Sequence, residues 1–324
     1  MLAVRCNRYG PPDQLAVEEL PDPSAGPGEV VVRVEAASVN FPDVLIAADQ
    51  YQISVPVPFT PGSELAGVVE SVGEGVAEWR VGDRVYGSTF VGAFAQLIAL
   101  PAAGLSAVPD GVDFAQAAAF WVVYATAYHA LRSVAEVAAG DWVVVLGAAG
   151  GVGLAAVDLA QLLGARVLAA ASSDEKLEVC RSRGAAEVVN YTSEDLKERI
   201  KELTGGADVV IDPVGGPSAE QALRSTRWGG RYVTVGFASG EIPRIPLNLV
   251  LLKGVVVKGF EIRTFAEHDP TGAARDREEL LALFGQRKVR PLVDGVYPLR
   301  ETGTAMRSLT ERRATGKVVI LPWG

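Results

Sequence analysis

The pattern of apolar and polar residues changes once along the chain, near residue 121. Before this point, short Val-rich runs alternate with Gly- and Pro-containing turns, as in GEVVVRVEAAS and LAGVVESVG. Runs of this kind are typical of strands that are joined by short turns. The pattern therefore predicts a mostly-β unit over residues 1–122.

After residue 122, short apolar runs alternate with segments of helical length. The apolar runs are WVVVLG, ARVLAAAS, AEVVNY, ADVVIDPV, GRYVTVGF and GVVVKGF. Strands that alternate with helices form a parallel sheet that is covered on both faces. We predict an α/β protein with a doubly wound parallel sheet of six strands over residues 123–264, followed by a helix and a final strand over residues 265–324.

Composition narrows the class of protein. The 324 residues are 49% hydrophobic, which allows two domains with sizeable cores and excludes a disordered chain. The net charge of −9 is unfavourable for nucleic-acid binding. No apolar run approaches the ~18 residues of a membrane span, and no signal-peptide pattern is visible. We predict a cytoplasmic protein that binds neither nucleic acid nor a membrane.

Cysteine and histidine are too rare for a structural zinc site. The chain has two of each, and no CxxC, HxxxH or HExxH spacing occurs. Cys180 is interpreted as a core-facing helical residue, with a reactive thiol as the alternative. His129 is either a satisfied helical histidine or a functional contact. We predict no bound metal.

A glycine-rich turn follows the first apolar run of the second unit. The turn reads GAAGGVG over residues 147–153 and is followed by an amphipathic helix and a second apolar run. A strand–glycine turn–helix–strand order is the context that a dinucleotide fingerprint requires, because the helix N-terminus offers N–H groups to a pyrophosphate. The predicted cofactor contacts in this turn are Ala149, Gly150, Gly151, Val152 and Gly153.

The residues at the end of the second strand distinguish a site for NAD from a site for NADPH. NAD sites place an acid there for the ribose 2′-hydroxyl, but this chain has Ala171 at that position. Ser172, Ser173 and Lys176 could instead hold a 2′-phosphate, which predicts NADPH as the cofactor. The alternative is that Ser172 and Glu175 form a capping box that starts the next helix, and both interpretations can hold together.

The pentapeptide VNFPD at residues 39–43 interrupts an apolar strand. Asn, Pro and Asp are typical of a turn, because Pro42 cannot donate to a sheet and the other two bond to nearby backbone. Functional residues also lie on such loops, so Asn40 and Asp43 are candidates for a site.

Together these segments resemble the medium-chain dehydrogenase/reductase superfamily and, within it, the zinc-free quinone oxidoreductases. The resemblance covers essentially the whole chain and rests on VNFPD, PGSELAGVV, VGDRV, GAFAQ, GAAGGVG, DPVGG, VGF and GKVVI. It implies a GroES-like catalytic domain (residues 1–122), a Rossmann NADP-binding domain (residues 123–264) and a C-terminal return to the catalytic domain (residues 265–324).

The resemblance also interprets VNFPD. Zinc-dependent relatives carry Cys at the position of Asn40, and Gly-His-Glu where this chain has Gly62, Ser63 and Glu64. An amide and a hydroxyl therefore stand where two metal ligands would be. Polarisation of a substrate carbonyl would then depend on hydrogen-bond donors.

The resemblance implies a set of site residues. Asn40 and Tyr51 are expected at the active site beside the nicotinamide, although Tyr51 could also be an ordinary loop tyrosine. The further cofactor contacts that it implies are Asn40, Thr126, Tyr191, Val214, Gly236, Phe237, Ala238, Phe260 and Lys317.

Two segments depart from the family pattern. Asp158 and Gln161 occupy positions where relatives usually carry Gln followed by Lys, Arg or Ser. Close relatives tend to be apolar or aromatic where this chain has GFEIRTFAE. There, Glu261 and Arg263 either pair with each other or reshape the substrate pocket.

The resulting expectation is a zinc-independent NADPH:quinone oxidoreductase that acts on a small quinone or enone. An enoyl-thioester or alkenal reductase and a non-catalytic NADPH-binding sensor or structural protein are the alternatives. The resemblance further implies a homodimer, in which the strand GVVVKGF at residues 254–260 pairs with its copy.

Overall fold

The computed structural model describes all 324 residues, and the chain divides into two compact units. The first contains Met1–Val122 and Arg290–Gly324, and the second contains Val123–Val289.

Strands dominate the first unit, whereas strands and helices alternate through most of the second. The strands are β1 (Leu2–Arg5), β2 (Ala16–Glu19), β3 (Glu29–Val39), β4 (Glu64–Val72), β5 (Arg84–Ser88), β6 (Leu97–Pro101), β7 (Leu105–Ala107), β8 (Trp142–Leu146), β9 (Arg166–Ala171), β10 (Glu187–Asn190), β11 (Ala207–Asp212), β12 (Thr226–Thr234), β13 (Val256–Gly259), β14 (Val293–Pro298) and β15 (Lys317–Leu321). The α-helices are α1 (Phe41–Ala47), α2 (Phe114–Ala118), α3 (Trp121–His129), α4 (Gly151–Leu162), α5 (Asp174–Ser182), α6 (Leu196–Thr204), α7 (Pro217–Ser225), α8 (Leu247–Lys253), α9 (Ile262–His268), α10 (Pro270–Gly285) and α11 (Thr302–Thr310). A π-helical turn over Ala130–Val134 follows α3.

The first unit is built around the long strand β3. Its sheet has the order β14-β15-β3-β4-β5-β7, with β6 also paired to β3, and β1 pairs with β2 in a separate two-stranded sheet. Val30, Val32 and Val34 of β3 point into the core of this unit, and most of the residues between and after them are buried as well. The mostly-β unit that the sequence predicted is thereby confirmed.

Two pairings in this sheet position polar residues. The antiparallel register of β15 and β3 sets Val318 opposite Val39, so that Lys317 comes level with Asn40. The register of β3 and β4 sets Leu65 opposite Ala37, which brings Glu64 to the same end of β3. Three separate strand ends therefore meet at one place.

The second unit contains the predicted six-stranded parallel sheet. Its order is β10-β9-β8-β11-β12-β13, and every neighbouring pair is parallel. From β8, the chain first adds strands on one side (β9 and β10) and then on the other (β11 to β13). The switch point, at which doubly wound sheets bind ligands, therefore lies between β8 and β11. The fold class expected from the sequence is confirmed.

The boundary of the C-terminal return differs from the sequence expectation. The sequence suggested a return to the first unit at residue 265, whereas the chain stays in the second unit as far as Val289. The reason is that α10 packs against α9 and against the π-helical turn after α3. Strand β14, which begins at Val293, then joins the sheet of the first unit.

No helix in the structure combines the length and the apolar character that crossing a bilayer requires.

Candidate functional site

The glycine-rich turn of the second unit lies at the carboxyl end of β8. Gly147 has a left-handed backbone with φ of +57°, and Gly150 is the N-cap residue of α4. A Cβ atom on Gly153 would lie 2.3 Å from the carbonyl oxygen of Gly147, so only glycine allows this approach of helix and turn. The first amides of α4 have no partner within the helix. Turn and helix start therefore fit the phosphates of a dinucleotide.

The last residue of β9 is Ala171 and not an acid, and hydroxyls, two acids (Asp174 and Glu175) and a lysine follow it. Ala171 ends the strand, and Ser173 is the N-cap residue of α5, since its Oγ accepts a 3.4 Å hydrogen bond from the backbone N–H of Lys176. The capping box predicted for Ser172 and Glu175 is wrong, because the N-cap residue is Ser173, one position later. Because Ser173 takes the capping role, the Ser172 side chain is not needed to start the helix.

The end of β10 lies next to the end of β9. The backbone N–H of Tyr191 donates to the carbonyl of Ala171 at 3.2 Å, and the Thr192 hydroxyl donates to the carbonyl of Ser172 at 3.3 Å. The Asn190 side chain donates to Asp174 at 2.8 Å. Tyr191 is therefore placed beside the predicted 2′-phosphate residues. Thr192, which the sequence did not single out, lies there as well.

The segment DPVGG at the end of β11 is organised by a buried carboxylate. Asp212 accepts hydrogen bonds from the N–H groups of Val214 and Gly215, both at 2.8 Å, and from the Tyr232 hydroxyl at 2.5 Å. Burial raises the pKa of Asp212, while these three donors act in the opposite direction. A Cβ on Gly147 would lie 2.6 Å from a Val214 methyl group, so this turn lies against the glycine-rich turn.

The residues after β12 complete the same edge of the sheet. The N–H of Ala238 donates to the carbonyl of Pro213 at 3.1 Å, and the N–H of Gly236 donates to the carbonyl of Asp212 at 3.3 Å. Phe237 is partly exposed between them. The structure thus brings Gly236, Phe237 and Ala238 next to the turn that carries Val214.

Two further predicted cofactor residues lie elsewhere in the second unit. Thr126 is half-buried on α3. Phe260 follows β13, and its buried ring lies 6.1 Å from the His129 ring and 5.6 Å from the Phe265 ring. The roles assigned to Thr126 and Phe260 stay predictions.

His129 belongs to a satisfied polar cluster. Its Nδ1 lies 2.9 Å from Asp276 Oδ2, which also accepts from the Ser133 hydroxyl at 2.5 Å. Burial alone would raise the pKa of Asp276, but hydrogen bonds from His129, Ser133 and Arg275 hold it below its usual value. The cluster fastens α10 to α3. Cys180 is buried, and burial raises the pKa of its thiol to about 12, as expected for a core cysteine.

The departures from the family pattern have structural partners. Asp158 on α4 pairs with Arg183 and accepts from the Tyr124 hydroxyl at 2.6 Å, and Gln161 donates to the carbonyl of Arg183 at 2.7 Å. Both residues therefore hold the end of α5 against α4.

The suggestion that Glu261 and Arg263 pair is wrong. Glu261 caps α9 by accepting from the backbone N–H groups of Arg263 and Thr264 at 3.1 and 2.9 Å. The Arg263 guanidinium pairs with Glu267 one turn later, at 2.9 Å.

In the first unit, VNFPD forms the start of a helix. Asn40 is the N-cap residue of α1, and its backbone N–H donates to Asp43 Oδ2 at 2.8 Å. Pro42 lies in the first turn, where its missing N–H is tolerated. The pentapeptide is therefore a helix start and not the predicted turn, although Asp43 bonds to nearby backbone as the sequence suggested.

The same pentapeptide also enters a polar cluster, which we call the Asn40 cluster: Asn40, Asp43, Ser63, Glu64 and Lys317. The Lys317 ammonium donates to Asn40 Oδ1 at 2.5 Å and to the carbonyl of Val39 at 3.2 Å, and it lies 3.5 Å from Glu64 Oε2. The Asn40 amide donates to Glu64 Oε2 at 3.2 Å and to Ser63 Oγ at 3.4 Å. Glu64 Oε1 accepts from the N–H of Val122 at 2.8 Å.

Burial dominates the electrostatics of the Asn40 cluster. It raises the pKa of Asp43 from 3.8 to about 7, against hydrogen bonds from Asn40 and Ser63 and the charge of Lys317. It also raises the pKa of Glu64, which Lys317 opposes, and it lowers the pKa of Lys317, which Glu64 and Asp43 oppose. Burial therefore disfavours the charge of both Glu64 and Lys317, each of which favours the charge of the other, and the pair lies beside a carboxyl whose pKa is about 7.

Tyr51, the other predicted active-site residue, follows α1. It is half-buried, and its ring lies 6.3 Å from the ring of Phe90 at an interplanar angle of 44°. Phe90, which is 40% exposed, follows β5 and was not singled out from the sequence. Its neighbour Thr89 donates a backbone hydrogen bond to the carbonyl of Ser63 at 2.9 Å. This links the aromatic pair to the Asn40 cluster.

The structure contains no group of three or more His, Cys, Asp or Glu side chains arranged to hold a metal ion. The sequence expectation that no metal is bound stays a prediction.

Comparison with known proteins identifies the family. The model of the alcohol dehydrogenase GroES-like domain matches residues 26–110, and that of the zinc-binding dehydrogenase matches residues 151–276. The chain is 38% identical to quinone oxidoreductase-like protein 2 homolog of Nematostella vectensis, over 98% of this chain and 88% of the relative. It is 35% identical to a quinone oxidoreductase of Pseudomonas aeruginosa over 97% of each chain.

A solved structure agrees with these relatives. Escherichia coli quinone oxidoreductase complexed with NADPH superposes with a TM-score of 0.91 at 29% identity, over 99% of this chain and 100% of that one. The chain therefore belongs to the medium-chain dehydrogenase/reductase superfamily and, within it, to the quinone oxidoreductases.

Proposed function

We propose that this oxidoreductase reduces a quinone or a related conjugated carbonyl by two electrons, with NADPH as the electron donor. The observation that carries the proposal is the sequence at the end of β9, where Ala171 stands in place of an acid and is followed by Ser172, Ser173 and Lys176, whose hydroxyls and ammonium can bind a 2′-phosphate. A relative whose structure was solved with NADPH supports the same choice.

The second unit supplies the residues that would hold the cofactor. The glycine-rich turn and the start of α4 suit the pyrophosphate, and the ends of β9 and β10 suit the adenosine ribose with its phosphate. The hydride for the reduction comes from the reduced nicotinamide when the cofactor is bound. The proposed contacts are Asn40, Thr126, Ala149, Gly150, Gly151, Val152, Gly153, Ser172, Ser173, Lys176, Tyr191, Val214, Gly236, Phe237, Ala238, Phe260 and Lys317.

In the first unit we propose that Tyr51 lies at the substrate and that Asn40 lies near the nicotinamide. A developing oxyanion needs a donor, which the Tyr51 hydroxyl can provide. Asn40 is 4% exposed, and both the oxygen and the nitrogen of its side-chain amide are hydrogen-bonded within the Asn40 cluster. Its contribution to cofactor placement therefore depends on the other members of the cluster.

The test is NADPH consumption with a small quinone, an alkenal and an enoyl thioester, compared side by side. We expect the highest kcat/KM with the quinone. A clear preference for the alkenal or the thioester would reassign the enzyme to the corresponding class of reductase. Tight NADPH binding without turnover on any acceptor would instead indicate a sensor or structural protein.

We also propose a homodimer. Strand β13 is the edge of the six-stranded sheet, and its Val256 and Val257 are 45% and 43% exposed. On the preceding helix α8, Leu247 and Leu251 are 80% and 81% exposed. An apolar edge strand next to exposed leucines is unfavourable in a monomer. Sedimentation is expected to show a dimer at micromolar concentration, and a monomer alone would contradict the proposal.

A further inference from the structure

The Asn40 cluster has one member that a small molecule can reach. Asn40, Asp43, Glu64 and Lys317 are 4%, 1%, 1% and 4% exposed, whereas Ser63 is half-buried. A substrate at this surface would therefore meet the Ser63 hydroxyl before any other polar group of the cluster.

Asn40 has no hydrogen-bond donor left to offer. Its Oδ1 must face Lys317, because an ammonium only donates, and its Nδ2 must face Glu64, because an ionised carboxylate only accepts. The second amide proton is directed at Ser63 Oγ, 3.4 Å away. Lys317 and Glu64 thus fix the orientation of the amide, and the amide in turn reaches Ser63.

The position of Ser63 is fixed by its backbone. Its carbonyl accepts a 2.9 Å hydrogen bond from Thr89, and the preceding Gly62 has φ of +99°. A Cβ on Gly62 would lie 2.5 Å from the Phe94 ring, so the turn before β4 cannot easily shift. Ser63 therefore presents its hydroxyl from a rigid support.

The direction of the hydroxyl proton follows from these contacts. Ser63 Oγ accepts from Asn40, so its own proton points away from the amide. On that side the hydroxyl faces the Asp43 carboxyl and lowers its pKa. The contact does not meet the geometry of a hydrogen bond, since Asp43 Oδ1 is buried and has no hydrogen-bond partner. The proton is available to a second acceptor.

We infer that Ser63 is a catalytic hydrogen-bond donor to the substrate carbonyl oxygen, and that Asn40, Glu64 and Lys317 are positioning residues that orient it. The inference rests on the proposed function, since the acceptor is the oxygen of a conjugated carbonyl. Addition of a hydride to such a system places negative charge on that oxygen. A donor fixed before the reaction stabilises this charge without reorganisation. Ser63 keeps its proton in this step.

The experiment compares wild type, Ser63→Ala, Ser63→Thr and Ser24→Ala. Ser24 is an exposed serine outside the strands and helices and serves as the matched control. The readouts are kcat/KM for an unactivated enone and for a quinone at saturating NADPH, together with the Kd of NADPH. Circular dichroism melting checks that each variant is folded.

We expect Ser63→Ala to lower kcat/KM for the enone by about 10²–10³, as removal of one oxyanion donor typically does, and to affect the quinone less. The Kd of NADPH should not change. Ser63→Thr keeps the hydroxyl and should recover most of the activity, and Ser24→Ala should equal wild type.

Three results would overturn the inference. If the wild type is active and Ser63→Ala has an unchanged kcat/KM on both substrates, the role of Ser63 is refuted while the proposed function stands. Equal losses in folded Ser63→Thr and Ser63→Ala would do the same, because the hydroxyl would then not matter. A wild type without turnover on any acceptor would overturn the proposed function and this inference together.

Discussion

Replacing Lys317 by Met measures the energetic weight of the ion pair inside the first unit. Met keeps an unbranched apolar side chain but removes the donor to Asn40 Oδ1, the donor to the Val39 carbonyl and the partner of Glu64. Removing one member of a buried pair costs about 3–5 kcal/mol, since the other charge stays in the interior.

The structure places Lys317→Met near the lower end of that range. Glu64 keeps two donors, the Asn40 amide at 3.2 Å and the N–H of Val122 at 2.8 Å. We therefore expect a loss of about 3 kcal/mol in the free energy of unfolding at alkaline pH.

The loss should depend on pH. Burial already raises the pKa of Glu64, and without Lys317 the pKa rises further. A carboxyl whose pKa is higher in the folded than in the unfolded protein favours folding at low pH, and this contribution disappears as the pH rises through the folded value. The variant should therefore be closest to wild type in mildly acidic buffer.

Urea denaturation followed by circular dichroism tests this with wild type, Lys317→Met, Glu64→Gln and the double variant. The double variant should cost at least about 1 kcal/mol less than the sum of the single losses, because neither charge is then left alone. Lys197→Met removes a lysine from an ion pair with Glu198 at the surface and should cause no measurable change. A Lys317→Met variant as stable as wild type, or losses that simply add, would show that the pair is not energetically coupled.

Three further changes probe the two sites. Tyr51→Phe should lower kcat about 10²–10³-fold for an unactivated enone and less for a quinone, and an unchanged kcat/KM on every substrate would make Tyr51 only a wall of the pocket. Replacing Ser173 and Lys176 together by Ala should weaken the Kd of NADPH far more than that of NADH, and equal losses would show that no 2′-phosphate is bound there. Burial raises the pKa of Asp43 from 3.8 to about 7, so the stability that its protonated form contributes is lost as the pH rises through this window, up to about 4 kcal/mol. Asp43→Asn should therefore flatten the pH dependence of unfolding by urea between these values, and a curve parallel to that of wild type would contradict the assignment.

The six-stranded sheet was predictable because its strands are buried on both faces. Strands of this kind are continuous apolar runs bounded by turn residues, and β8 and β11 follow that rule in WVVVL and ADVVID. The glycine-rich turn was predictable for a related reason, since the close approach at Gly153 excludes every side chain. In both cases a local physical requirement restricts which residues can occupy the position.

The Asn40 cluster was only partly predictable. Asn40 was suggested by its unusual neighbours, but the hydrogen bond from Lys317 joins residues 277 positions apart. It forms because β15 pairs with β3, and no local pattern reveals that pairing. A lysine at the start of a strand would ordinarily be placed at the surface, so its burial followed only from the tertiary structure.

The remaining misses concern competition between neighbouring groups. Ser172 and Ser173 are equally good caps by residue type, and the backbone conformation selected Ser173. Glu261 and Arg263 carry opposite charges two residues apart, but side chains at that spacing do not face each other on a helix. The four-residue spacing to Glu267 provides the pair instead.

Substitutions in the Asn40 cluster can change both turnover and stability, and which of the two changes depends on how deeply the substituted residue is buried. Changes at Glu64 or Lys317 disturb a buried pair, so any effect on turnover comes together with a loss of stability. Asp43 adds a pH dependence of its own, and Asn40 is bonded to several members of the cluster at once. Ser63 is half-buried and at the edge of the cluster, so its hydroxyl can be removed without breaking the pair of Glu64 and Lys317. A kinetic defect at Ser63 with an unchanged melting temperature would therefore report on chemistry alone, which no other residue of the cluster allows.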